Sequence, residues 1–165
     1  MPSEYELKSK SNSECLSRAG FIPLQESSNG FKSYFGGMYF SESFDIMLSP
    51  VPVLLEFDKP LPLSGTAFVP GTIALDTSGV YLISYEMDMA ALSTTVVNAQ
   101  VLANASPLGS SSGSIELQKN RIASLQHTTF AKLSASDELE LELTAEDEEI
   151  IIVRHAQLTL MRIGT

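Results

Sequence analysis

Carboxylates are the most concentrated reactive side chains of this sequence. Within residues 137–149, 8 of 13 residues are acidic and none is basic. Glu138, Glu140 and Glu142 alternate there with three leucines. The alternation predicts a β-strand whose leucines, at positions 139, 141 and 143, lie in a core while the glutamates form a row on its other face.

Three glutamates in a row could bind a divalent cation, because hard cations prefer several carboxylate oxygens. Glu138, Glu140 and Glu142 are therefore weak metal-site candidates, and a basic partner is an alternative ligand for the same face. The segment lacks the spaced Asp and Asn residues of a high-affinity calcium loop. We expect a solvated outer face and predict neither a metal nor another cofactor.

The other residue types that could do chemistry are few and scattered. His127 and His155 are not spaced as a pair of metal ligands, and each is expected to be a strand residue with a hydrogen-bonded ring. The single cysteine, Cys15, is a candidate for an intermolecular crosslink. The sequence has no Gly-x-Ser-x-Gly elbow and no phosphate-binding glycine loop. We therefore predict that the protein is not an enzyme.

Composition limits the partners. The chain has 165 residues, 44% of them hydrophobic and 18% charged, which predicts one folded domain. A net charge of −10 disfavours nucleic acid. No apolar run approaches the ~20 residues that span a bilayer, so no membrane insertion is expected. The polar start of the chain predicts no signal peptide, hence synthesis in the cytoplasm.

The elements that must position these residues are β-strands. Residues 1–30 are rich in Ser, Glu and Lys and predict a flexible N-terminal arm, whereas residues 31–165 carry short apolar runs separated by turn residues. A two-residue hairpin turn is predicted at Asn104-Ala105. The predicted strands are 31–40, 52–57, 68–75, 79–89, 96–103, 115–117, 122–133, 139–143 and 150–163.

The clearest strand is 79–89, in which Tyr81, Ile83 and Tyr85 alternate with Leu82, Ser84 and Glu86. The alternation predicts that the two sets point to opposite faces of the strand. Residues 150–163 are apolar at both parities, as expected for a strand covered on two faces. Eight to ten such strands predict an all-β sandwich or jelly roll.

Three motifs resemble the tumour-necrosis-factor and complement globular-head superfamily. They are Gly79-Val80-Tyr81 within 68–85, the strand leading to Asn104 and Pro107, and residues 130–141, where Ser136 stands in place of the usual glycine. The resemblance covers about residues 31–165. It implies a TNF-like jelly-roll β-sandwich of about ten short antiparallel strands.

The bacterial branch of that superfamily is the more similar one. A polar arm with one cysteine followed by a jelly roll ending in Ala156–Gly164 resembles exosporium basal-layer proteins of Bacillus-type spores and the C-terminal heads of their collagen-like glycoproteins. This resemblance implies a location at the spore surface, in the exosporium or outer coat. It also implies other spore-shell proteins as partners, reached through the arm.

The resemblance further implies a homotrimer in which one sheet packs its outer face around a threefold axis. The register of that superfamily implies that Tyr81, Ile83 and Tyr85 lie in the sandwich core. The residues it places at the threefold axis are Leu82, Ser84, Glu86, Gln126, Thr128, Phe130, Gln157, Thr159 and Met161. Three copies of Glu86 near one axis would repel each other, so Arg162, Arg154 or a cation is expected to neutralise them.

The function expected from these features is structural: a trimeric block of a spore layer, attached by its arm. The alternative is a trimeric binding head on the same fold, such as a phage-tail tip or a carbohydrate- or receptor-binding module. Its sites would lie in loops such as 106–114 or 147–149. A cupin-like metalloenzyme is disfavoured because two scattered histidines do not supply its ligand set.

Overall fold

The computed structural model describes residues 32–165, and every regular element in that part of the chain is a β-strand. The thirteen strands are β1 (Phe35–Tyr39), β2 (Phe44–Leu48), β3 (Val53–Leu54), β4 (Lys59–Pro60), β5 (Thr66–Val69), β6 (Thr72–Leu75), β7 (Gly79–Ala91), β8 (Thr95–Ala103), β9 (Ser106–Pro107), β10 (Gly113–Leu117), β11 (Ala123–Leu133), β12 (Glu138–Ala145) and β13 (Glu149–Gly164).

The strands form two antiparallel sheets. Sheet A has the order β11-β7-β13-β1-β4, with β2 also paired to β13. Sheet B has the order β10-β8-β12-β6-β5, with β3 paired to β12 and β9 paired to β8. Neighbours such as β7 and β13 are far apart in sequence, so the chain crosses between the sheets as in Greek-key and jelly-roll topologies.

The core lies between the sheets and is filled by alternate residues of the long strands. Tyr81, Ile83 and Tyr85 of β7 are at most 2% exposed, which confirms their predicted orientation. The three leucines of β12 are fully buried, so the predicted alternation of that strand is confirmed too. Burial of each such side chain contributes roughly 1.5–3 kcal/mol.

Two turns have backbone angles that explain their residues. Asn104 and Ala105 have φ values of 51° and 60°, typical of the central residues of a type I′ hairpin turn, and this confirms the turn between β8 and β9. Ser136 has a φ of 71°, in the region that favours glycine. That angle accounts for the glycine that the resembled motif has at this position.

The strand predictions differ from the structure in several places. The predicted strand 68–75 is part of the hairpin of β5 and β6, in which Gly71 adopts a φ of 82°. The Pro-Gly turn was not recognised because apolar residues lie on both sides of it. The predicted strand 52–57 is reduced to β3, and β2 was not predicted at all. Phe44, Ile46 and Leu48 alternate in β2 with the exposed Asp45 and Met47, so the sequence carried the alternation of a strand there and it was overlooked.

Candidate functional site

The candidate site is the outer face of sheet A. There the register aligns three residues in each of three rows: Phe130, Leu82 and Met161; Thr128, Ser84 and Thr159; and Gln126, Glu86 and Gln157. We call this set the nine-residue face. The structure thus brings together all nine residues that the resemblance placed at a threefold axis, on strands β11, β7 and β13.

The first row of the nine-residue face is apolar and exposed. Phe130 is 63% exposed and Met161 is 48% exposed, with Leu82 half-buried between them. Phe35 of β1 extends the row, because it pairs with Met161 and is itself 38% exposed. Four large apolar side chains therefore lie side by side across four strands, and other residues of 32–165 leave them partly exposed to solvent.

The other two rows are polar and internally hydrogen-bonded. One carboxylate oxygen of Glu86 accepts a bond from the Gln126 amide nitrogen at 2.7 Å, and the second accepts one from the Gln157 amide nitrogen at 3.3 Å. The hydroxyls of Ser84 and Thr128 lie 2.8 Å apart. These groups line a shallow depression of about 190 Å³. The Glu86 charge is therefore met by amide dipoles of its own chain.

The expectation that Arg162 neutralises Glu86 is wrong. Arg162 follows Met161 in β13 and therefore faces the core side of the sheet, where its guanidinium carbon lies 5.1 Å from the centre of the Tyr34 ring. Arg154 lies at the bulge between Val153 and His155 and is exposed. Within one chain the hydrogen-bond partners of the Glu86 carboxylate are the amides of Gln126 and Gln157.

A second apolar row, which was not predicted from the sequence, lies at the other end of sheet A. Met47 of β2 pairs with Ile150 of β13, and these residues are 51% and 38% exposed. Leu92, which directly follows β7, is 49% exposed. Residues 150–163 are apolar at both odd and even positions, which indicated that this strand has apolar side chains on both faces. Because β2 was not predicted, the strand that pairs with Ile150 could not be assigned. The outer face of sheet A is apolar at both ends and polar in the middle.

Comparison with solved structures gives the fold. The globular domain of zebrafish complement 1qA superposes with a TM-score of 0.58 at 14% identity, covering 79% of this chain and 97% of that chain. The fold is the jelly roll of the tumour-necrosis-factor and complement globular-head proteins. Eiger TNF from S. frugiperda gives a TM-score of 0.58 at 12% identity, covering 79% of this chain and 94% of that chain. Murine APRIL at pH 5.0 gives 0.54 at 10% identity, covering 78% and 99%.

These likenesses are structural. Comparison of the sequence with protein-family models and with curated proteins gives no match. The predicted TNF-like jelly-roll fold is confirmed, whereas the bacterial branch stays a prediction.

The histidines of this jelly roll lie in strands, as expected. The Nε2 atom of His127 is 2.7 Å from the Ser110 carbonyl oxygen, and its ring stacks on Tyr85 with centroids 5.6 Å apart. His155 lies opposite Asp88 in β7. Within residues 32–165 no three His, Cys, Asp or Glu side chains are placed to hold a metal ion. Cys15 lies outside the described residues.

Glu138, Glu140 and Glu142, the weak metal-site candidates, lie on β12 at the outer face of sheet B. Glu138 is exposed, while Glu140 and Glu142 are half-buried. Glu142 accepts a hydrogen bond from the Gln100 amide at 2.6 Å, and Glu140 accepts one from the Thr72 hydroxyl at 3.4 Å. No strand of sheet B contains Lys, Arg or His. The two outer faces of the jelly roll therefore differ: sheet A carries rows of exposed apolar side chains, whereas the central strands of sheet B are polar and acidic, and its outlying strands expose Leu54 and Val69.

Among residues 32–165 there is no helix whose length and apolar character would allow it to cross a bilayer.

Proposed function

We propose that the protein is a non-enzymatic structural protein whose jelly rolls associate as a homotrimer through the outer face of sheet A. The observation that supports this is the apolar row of Phe130, Leu82, Met161 and Phe35 on that face. Large contiguous apolar patches are uncommon on monomeric proteins and mark interaction sites. Three copies of this face packed around a threefold axis would cover these side chains in a closed assembly.

The polar middle of the face fits such an interface. Glu86 is held between two glutamine amides, so three copies of it would enter the interface with their oxygens already hydrogen-bonded. Buried polar groups are tolerated when all are satisfied, and a polar layer between apolar rows restricts the register in which copies can pack. The second apolar row, around Ile150, would then contribute to the same contact.

The proposed place of this trimer is a bacterial spore surface, in the exosporium or outer coat. What supports it is the resemblance of the arm and of the closing strand to basal-layer proteins and collagen-like glycoprotein heads. In this proposal residues 1–30 attach the block to the layer or to other shell proteins, and Cys15 can crosslink them. A threefold block with three arms can build a two-dimensional layer.

The first experiment is the absolute mass of the full chain by light scattering, with and without a chelator. The trimer proposal expects three chains of 17.9 kDa each. It also expects no effect of the chelator, because the amides already hydrogen-bond Glu86. A mass of one chain at about 100 µM, a concentration at which a specific interface should persist, would refute the trimer.

The role of the arm needs a test in cells. Removal of residues 1–28, and separately Cys15→Ser, would be followed by immunogold labelling of spores. We expect the truncated chain to remain trimeric but to be lost from the surface layer. Normal incorporation of the truncated chain would contradict the arm proposal without affecting the trimer.

A further inference from the structure

A polar cavity lies on the outer face of sheet B, away from the nine-residue face. Its volume is about 260 Å³, and it is lined by Asn98, Gln100, Ser112, Ser114, Glu142 and Thr144. The register explains the cluster, because β8 lies between β10 and β12: Asn98 pairs with both Ser114 and Thr144, and Gln100 pairs with Glu142. Two rows of polar side chains therefore surround the cavity.

One wall of this cavity is fixed from beneath by buried hydrogen bonds. Ser111 is fully buried; its hydroxyl accepts a bond from the Val101 amide at 3.0 Å and donates one to the Leu108 carbonyl at 2.7 Å. The Tyr85 hydroxyl lies 3.1 Å from the Ser111 carbonyl. Burial raises the pKa of Tyr85 to about 12, so this hydroxyl remains a donor. The loop that carries Ser112 and Ser114 is thereby held in place before any ligand arrives.

The lining groups define the chemistry of a ligand. Amides and hydroxyls both donate and accept, and the Glu142 carboxylate accepts. Neither a cationic nor an aromatic side chain lines the cavity, so it provides no opposite charge for an anion and no surface on which a ring could stack. Gln100 is oriented by Glu142 at 2.6 Å and lies 3.4 Å from the Ser112 hydroxyl, so its amide is fixed toward these neighbours.

We propose that this cavity binds a hydroxyl-rich ligand without negative charge, of the size of one sugar ring. Paired hydroxyls of a saccharide match side chains that both donate and accept, and a site built for them rejects analogues that lack them. The volume is just below the ~300–1,000 Å³ of typical ligand pockets, which limits occupancy to a single ring. The proposal is independent of the trimer, because the cavity and the nine-residue face lie on different sheets.

The test is a titration of the ¹⁵N-labelled full chain with neutral monosaccharides, namely glucose, galactose, rhamnose and N-acetylglucosamine, up to about 50 mM. Glucuronate serves as the anionic probe. We expect saturable shifts of the Ser112, Gly113 and Ser114 amide signals with at least one neutral sugar. Gln100→Ala and Glu142→Gln should weaken that binding about fivefold or more, the loss expected when a hydrogen bond is removed.

Glu140→Gln is the matched control, since it makes the same charge change on the same strand at a residue that does not line the cavity. It should leave the affinity unchanged. Three results would overturn the proposal: no saturable shift with any neutral sugar, equal binding of glucuronate, or equal weakening by Glu140→Gln and Glu142→Gln. The last result would assign the effect to the general acidity of the face.

Discussion

Replacement of Phe130 by alanine is the sharpest test of the proposed interface. The Phe130 side chain is 63% exposed in the single chain, and it extends the row formed with Leu82 and Met161. Its removal should leave the folded jelly roll almost unchanged, because the ring contributes little to the core. The same removal should weaken the trimer strongly, because each copy loses an apolar contact.

The magnitude follows from the exposed area. The surface area of a phenylalanine side chain is roughly 200 Å². If the trimer buries all of the exposed part of Phe130, replacing the ring with a methyl group removes about 100 Å² of apolar contact per chain. At about 25 cal/mol per Å² this is ~2.5 kcal/mol per chain, or ~7.5 kcal/mol per trimer. For a trimer, the protein concentration at which half of the chains are dissociated varies as the square root of the dissociation constant. That concentration should therefore rise about 500-fold, or about 20-fold if only half the ring is covered.

Sedimentation velocity over a dilution series measures that concentration for both proteins. Val69→Ala is the control: Val69 is 60% exposed but belongs to β5 of sheet B, so its loss should not change the assembly. Urea unfolding of the Phe130→Ala protein should show a free energy of unfolding within about 0.5 kcal/mol of the original at concentrations where both are monomeric. Equal dissociation of the two variants would refute the assignment of the interface to sheet A.

Three further changes follow from the hydrogen bonds. Tyr85→Phe should lower the free energy of unfolding by about 1–3 kcal/mol in urea, because the buried Ser111 carbonyl loses a donor; an unchanged value would contradict this. Glu86→Gln should lower the half-dissociation concentration at least about threefold and reduce its dependence on salt, because three like charges leave one axis; a weaker trimer would contradict the repulsion. The Ser41 hydroxyl donates a hydrogen bond to the Asp58 carboxylate at 2.5 Å and lowers the pKa of that carboxyl. The bond therefore stabilises the folded state at pH values above the ordinary pKa of an aspartate, and this stabilisation is lost as the pH falls through the lowered pKa of the folded protein. Ser41→Ala should therefore raise the pKa of Asp58 in an NMR titration, and an unmoved pKa would show that another contact lowers it.

The sequence pattern was sufficient to predict side-chain orientation where the position of one residue fixes that of the next. Because side chains alternate along a strand, placing Tyr81 in the core placed Leu82 outside, and the same holds for the leucines and glutamates of β12. The Asn104-Ala105 turn was equally local. The hairpin of β5 and β6 was not, since its Pro-Gly turn lies within a continuous apolar run that also fits a single strand.

The all-β class, the alternation of side chains along the long strands and the cluster of acidic residues on β12 all follow from the order of the residues. The register that aligns Phe130, Leu82 and Met161 comes from the pairing of the strands in the folded sheet, because a shift of one residue in any of them would exchange core for surface. The folded sheet also separates Arg162 from Glu86. The cavity on sheet B depends on contacts between strands distant in sequence, which no local pattern encodes.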